Sequence, residues 1–216
     1  MELLVVIAIM AIIMGITVPA FNTMGKGSGM RGAISQLRST ISLSRQWAIT
    51  HRQPVYIIFP DFDLTDFHGD AQEFEKACKA YAVYAITNNA KIEDNDISAL
   101  GEYITDWKFL PKDVVFLNDE DIKRTIFDED KNMVRKVKLK TGGQTETVYT
   151  LICNPDGSAG ILGAIFGGLR IPLAEGYMIV YTNDLSASEY EPKYEQAQSV
   201  AIHGLTGGIV VEGIDD

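Results

Sequence analysis

The chain has 216 residues, 46% of them apolar, and a net charge of −10. That length suits one globular domain with an accessory segment, and the apolar share is enough for an ordinary core. The charge is uneven: residues 1–60 hold five basic side chains and one acidic, net +4, which leaves −14 on the remainder. An acidic body of this kind argues against nucleic-acid binding through that surface. Two cysteines and three histidines with no CxxC pair argue against a zinc site.

The chain opens on an apolar run, LLVVIAIMAIIM, from Leu3 to Met14, and no further charge appears before Phe21. Nineteen such residues are long enough as a helix to span a hydrocarbon core of roughly 30 Å. Glu2 stands at the edge of the run, where an unpaired carboxylate costs at least ~2.5 kcal/mol near lipid and so needs a partner or a role. After Phe21 comes NTMGKGSGMRG, with Gly25, Gly27, Gly29 and Gly32 close behind Pro19. Each interior glycine weakens a helix by about 0.5–1 kcal/mol against alanine, and proline removes a hydrogen bond. The expectation is a helix that bends or melts between Thr17 and Gly32 in a filament, with a bent helix surviving in a lone subunit; a plain linker is the alternative.

From Ala33 to Arg52 the period is helical again. Ile34, Leu37, Ile41, Ser44 and Ala48 form a stripe flanked by Leu43 and Trp47. Arg38, Arg45 and Arg52 recur on another face, read as a solvated face or as one that meets the acidic head of a neighbour. Pro54 ends the helix and VYIIF opens strand territory. Further strands are expected at Tyr81–Ile86, on both sides of the Pro111-Lys112-Asp113 turn, and at Lys123–Phe127, Met133–Lys140 and Thr145–Cys153. Others follow at Tyr177–Thr182, Ser199–His203 and Gly208–Glu212. Residues 88–101 read as a polar loop. Thr141-Gly-Gly, Asn154-Pro-Asp-Gly and Thr206-Gly-Gly mark turns. One long helix followed by many short strands is an α+β fold with an antiparallel sheet, or two sheets packed together. The implied organisation is a transmembrane or filament-core helix over 1–24, a glycine-rich joint and amphipathic helix over 25–52, and a β-rich head over 53–216.

Glu2-Leu3-Leu4-Val5-Val6-Ile7-Ala8-Ile9 resembles the start of a type IV pilin or type II secretion pseudopilin. Members of that family begin, after a basic leader and a cleavage glycine, with a short run ending in glutamate and then an apolar helix. Pro19 falls where many pilins place a proline. SLSRQWAITHRQPVYIIF, WKFLPKDVVF, CNPDGSA and VAIHGLTGGIVVE, in that order, are similar to segments of H-type minor pseudopilins. The chain departs in its long acidic insertions, in its glycine-rich 160s and at Met1, where the family usually has isoleucine. The leader and first mature residues are also missing, so the start is expected to lie upstream.

The resemblance implies a non-enzymatic subunit held in the bacterial inner membrane with its head in the periplasm, then built into a pseudopilus or extracellular filament. Its partners would be other pilin or pseudopilin subunits and, given a leader, the prepilin peptidase. Glu2 would neutralise the terminal amine of the adjacent subunit. The alternative is a membrane-anchored exported binding or enzymatic domain that does not polymerise.

Four further readings concern particular residues. No GxSxG motif or Cys/His pairing supports nucleophilic catalysis. Asp61, Asp63 and Asp66, and Asp128-Glu129-Asp130, could ligate calcium through clustered hard oxygens, but neither has EF-hand spacing; no other cofactor is implied. Cys78 and Cys153 either form a disulfide, as suits an exported domain, or remain two buried thiols. Ile161, Leu162, Ile165, Phe166 and Leu169 form either a buried loop or an apolar contact surface for a neighbouring subunit.

Overall fold

The computed structural model describes residues 2–60, 78–87, 96–98, 100–119, 121–122, 124–127, 134–138, 145–160, 168–179, 189–204 and 206–214; in the first half of the helix it describes only the side chains of Val6, Ile7 and Met10. Among the described residues there is one helix, α1 (Glu2–His51), followed by eleven strands. They are β1 (Val55–Pro60), β2 (Ala80–Ile86), β3 (Gly101–Tyr103), β4 (Lys108–Phe109), β5 (Val114–Phe116) and β6 (Val134–Lys138). The rest are β7 (Thr145–Cys153), β8 (Ala159–Gly160), β9 (Leu169–Ile179), β10 (Glu189–Ile202) and β11 (Ile209–Gly213). The fold is α+β, and every strand pair is antiparallel.

The first sheet has the order β3-β2-β1-β7-β6, with β4 on β2 and β8 on β7; the second runs β11-β10-β9-β5. Three sides meet in one core. From α1 come Ala33, Leu37, Ile41 and Ala48, from the first sheet Ile57, Phe59, Val83 and Leu151, and from the second Ile171, Leu173, Val200 and Ile202. Phe59 of β1 stands edge-on to Phe116 of β5 at 5.2 Å and to Phe127 at 5.9 Å, which ties the two sheets together. The first sheet is buried on its other face too. Tyr56, Ile58, Ala82 and Tyr84 pack there under Ile97, Leu100 and Trp107, so the second half of the loop expected over 88–101 is a cover rather than a solvated connection.

The helix ends where expected, and its closure is local. Arg52 takes a left-handed φ of 54°, and the Gln53 amide reaches back to the Ala48 carbonyl at 3.3 Å. Pro54 then forbids another turn.

In this single chain the backbone stays α-helical through Pro19 and all four glycines, the outcome allowed for a lone subunit, whereas the break between Thr17 and Gly32 is expected of the filament. Tertiary contact explains Gly29. A methyl on Gly29 would lie 3.3 Å from the Lys112 carbonyl oxygen, and one on Gly32 3.6 Å from the Pro111 ring. Gly29 lets the helix settle close against the turn between β4 and β5, which offsets its poor intrinsic propensity, while Gly32 stands at ordinary contact distance.

The strand readings at β1, β2, β5, β6 and β7 are met. Of the strand expected at Lys123–Phe127, the described residues 124–127 form only an isolated bridge, at Thr125 to Arg170. β9 and β10 begin well before the strands expected at Tyr177–Thr182 and Ser199–His203, and together form a ribbon with a register shift between Lys193 and Gln198.

Candidate functional site: the helix and its seat on the head

The amphipathic half of α1 is held to the head at several heights. Nearest the glycines, Gln36 Nε2 donates to the Phe109 carbonyl at 3.3 Å, and Lys108 Nζ donates to Thr40 Oγ1 at 3.1 Å. At the far end sits Arg45. Its Nε donates to the Gly157 carbonyl at 3.0 Å, its Nη1 to Gly207 at 3.1 Å and its Nη2 to Thr206 at 2.6 Å. Three charge-assisted bonds thus clamp two turns to one helical residue. Both turns need glycine. Gly157 has φ +86° and Gly207 φ +58°, and a methyl on Gly207 would overlap the Arg45 side chain, with Cδ only 2.8 Å away.

Arg45 is therefore half-buried and committed to its own head, unlike Arg38 and Arg52, which are exposed. The two turns were legible in the sequence as Pro-Asp-Gly and Thr-Gly-Gly. That they share one arginine was not, because Arg45 keeps the same seven-residue spacing as its exposed companions.

The first turn is also stapled internally. Asp156 Oδ1 accepts from the Ser158 amide at 2.8 Å and its hydroxyl at 2.6 Å, and these bonds hold the Asp156 carboxyl below its usual range. Asp96 and Ser98 repeat the arrangement in the cover over the first sheet.

Beyond Gly29 towards the N-terminus, α1 runs about 40 Å before its first residue, at 1.5 Å per residue. The described side chains there, Val6, Ile7 and Met10, are 51, 54 and 58% exposed. Among the described residues no helix is long and apolar enough to cross a membrane. The rest of the run from Leu3 to Met14 lies outside them as side chains, as do Glu2 and Pro19, whose backbones are helical.

Other candidates fare differently. Leu169 is a buried core residue at the start of β9, 5% exposed, and so is not part of a surface. The neighbouring Ile161, Leu162, Ile165 and Phe166 lie outside the described residues, as do both acidic loops considered for calcium. Among the described residues no group of three or more His, Cys, Asp or Glu is placed to hold a metal.

The expected disulfide is not formed; Cys78 and Cys153 are both buried thiols. Register explains why. Cys153 pairs with Val55 at one end of β1, whereas the register of Ile58 with Ala82 carries Cys78 past the other end at Pro60. Five residues of strand separate those ends by about 16 Å, well beyond the ~7 Å a disulfide can span. Burial pushes the Cys153 thiol up to about 12, against a small opposing pull from Arg45.

No family model matches the chain, and no curated protein matches it. Among solved structures it is similar to the minor pseudopilin EpsH from the type 2 secretion system of Vibrio cholerae, at 10% identity. The match covers 87% of this chain and 99% of that one, with a TM-score of 0.39. Similarity at that level carries no argument about function, which rests instead on the helix and its seat.

Proposed function

We propose that the chain is a non-enzymatic pilin-like subunit that assembles through its N-terminal helix into a type II secretion pseudopilus or a type IV pilus. The observation that carries this reading is the helix itself. Its described apolar side chains Val6, Ile7 and Met10 are about half exposed, far from the described contacts with the head. Large apolar side chains on a projecting helix need a cover, first lipid and then the like helices of neighbours. The glutamate-led sequence before them agrees with that use. In this reading the inner membrane holds the subunit with its head in the periplasm, and other pilin or pseudopilin subunits are its partners. The head is rigidly coupled to the helix by Arg45 and the glycine seat, so force on one is passed to the other.

Glu2→Ala tests the reading in cells that carry the assembly machinery. The carboxylate is costly only where water is excluded, so membrane insertion should persist while incorporation into filaments falls sharply. Wild-type incorporation of the alanine variant would refute it.

A further inference from the structure

A groove of about 550 Å3 runs along the flank of α1 where the helix overhangs the edge of the second sheet. Arg31, Ser35, Arg38 and Ser39 form its helical wall, and Gln198 of β10 with Val211 of β11 form the other. Three features make it unlike an ordinary crevice. Its lining holds two guanidinium groups and several neutral polar side chains but no carboxylate. Neither Arg31 nor Arg38 makes an ion pair among the described residues. Its floor is an uncovered part of the core layer: Val211 pairs with Val200 and shares its face, yet Val200 is fully buried under the helix and Val211 is 38% exposed.

We propose that this groove seats a carboxylate-bearing segment from the head of a second copy of this chain. Charge complementarity selects the occupant. The two arginines lie seven residues apart, about 10 Å along the helix axis, within the +4 part of the chain, whereas residues 61–216 carry −14. A subunit that polymerises needs two different surfaces that fit each other, since head-to-tail contacts repeat one pairing along the assembly. A basic groove with an apolar floor and an acidic body on the same chain supply such a pair. The proposal rests on the polymerising reading above, to which it adds a docking site and the chemistry of its partner.

A photo-crosslinking residue at Ser35 of the full chain, expressed with its assembly machinery, tests it. Irradiation should give a dimer adduct whose second peptide maps within residues 61–216. R31E/R38E should reduce that adduct at least five-fold, and R31Q/R38Q should reduce it less, whereas R52E, at an exposed arginine off the groove, should leave it unchanged. Since Arg31 and Arg38 are exposed, near-ultraviolet dichroism should be the same in all variants. Adducts only to lipid, to another protein or to the chain's own last residues would overturn the groove assignment. So would an adduct insensitive to R31E/R38E, or none at all while Glu2-dependent incorporation persists. A charge-sensitive dimer adduct without Glu2-dependent incorporation would keep the groove and sink the filament reading instead.

Discussion

Replacing Gly207 by alanine should cost much more in the native chain than in one that lacks the Arg45 guanidinium. Arg45→Ala removes three hydrogen bonds to the carbonyls of Gly157, Thr206 and Gly207. Bonds to a charged group contribute ~1.5–3 kcal/mol each when buried; this arginine is half-buried and water can replace part of the loss, so about 1 kcal/mol each is apt, or about 3 in all. Gly207→Ala adds a side chain at φ +58°, worth about 1 kcal/mol of strain, and drives Arg45 from its seat, which forfeits the same three bonds. The single glycine variant should therefore lose about 4 kcal/mol. The double variant should also lose about 4, not the roughly 7 of independent effects, a coupling of about 3 kcal/mol. Urea unfolding of the full chain in a non-ionic detergent would measure it through tryptophan fluorescence. Trp47, on the half of α1 that packs against the head, stacks on His51 at 4.0 Å, and Trp107 in the head lies beside Tyr103 at 6.0 Å, so both report on the packed unit. Costs that add within ~0.5 kcal/mol would show that Arg45 and the Thr206-Gly207 turn do not share one clamp.

Four other outcomes are expected. Cys78 and Cys153 should both titrate as thiols after denaturation under non-reducing conditions, and neither should react quickly in the folded chain. Because the folded state keeps the Cys153 proton that the unfolded chain releases near 9.0, stability should be full below that pH and fall as pH rises towards about 12; loss of the slope between about pH 9 and 10 after Cys153→Ala, below the range where the buried Tyr81, Tyr84 and Tyr190 hydroxyls add their own, would identify the group. Leu169→Ala should destabilise the head by about 2–5 kcal/mol in the same urea assay, as for a core leucine, where a surface contact residue would change it by less than ~0.5. Gly29→Leu should loosen the helix from the Pro111–Val114 turn and raise amide exchange around Met30 to Ile34, whereas propensity alone would predict a tighter helix.

Much of the head was legible because periodicity reports burial. The stripe Ile34, Leu37, Ile41, Ser44 and Ala48 is buried as read, and β1, β2 and β7 match short runs of β-branched and aromatic residues. What stayed hidden depends on partners distant in sequence. The opening of β9 contains Pro172 and Gly176 and reads as loop; yet a methyl on Gly176 would sit 2.9 Å from the Pro192 Cα, so glycine there permits the ribbon with β10. The first half of β10, Glu189-Tyr-Glu-Pro-Lys, is too charged to read as strand, and pairing with β9 is what holds it extended. Gly29 carries a tertiary reason that local propensity cannot show: its close approach to the Lys112 carbonyl makes the lack of a side chain useful. The disulfide was a matter of register, which cysteine spacing cannot supply.

The claim that α1 carries assembly can be met most directly at Met10, an exposed apolar position on the projecting helix. A Met10→Cys chain, whose two native cysteines are buried, would be expressed with the assembly machinery and treated with a membrane-permeant bifunctional maleimide. The account predicts cross-linked dimers in the wild-type background and their loss when Glu2→Ala is added. A cysteine at position 10 that reacts with a lipid-phase label yet never joins two copies would mark an anchored head that does not polymerise, and would contradict it.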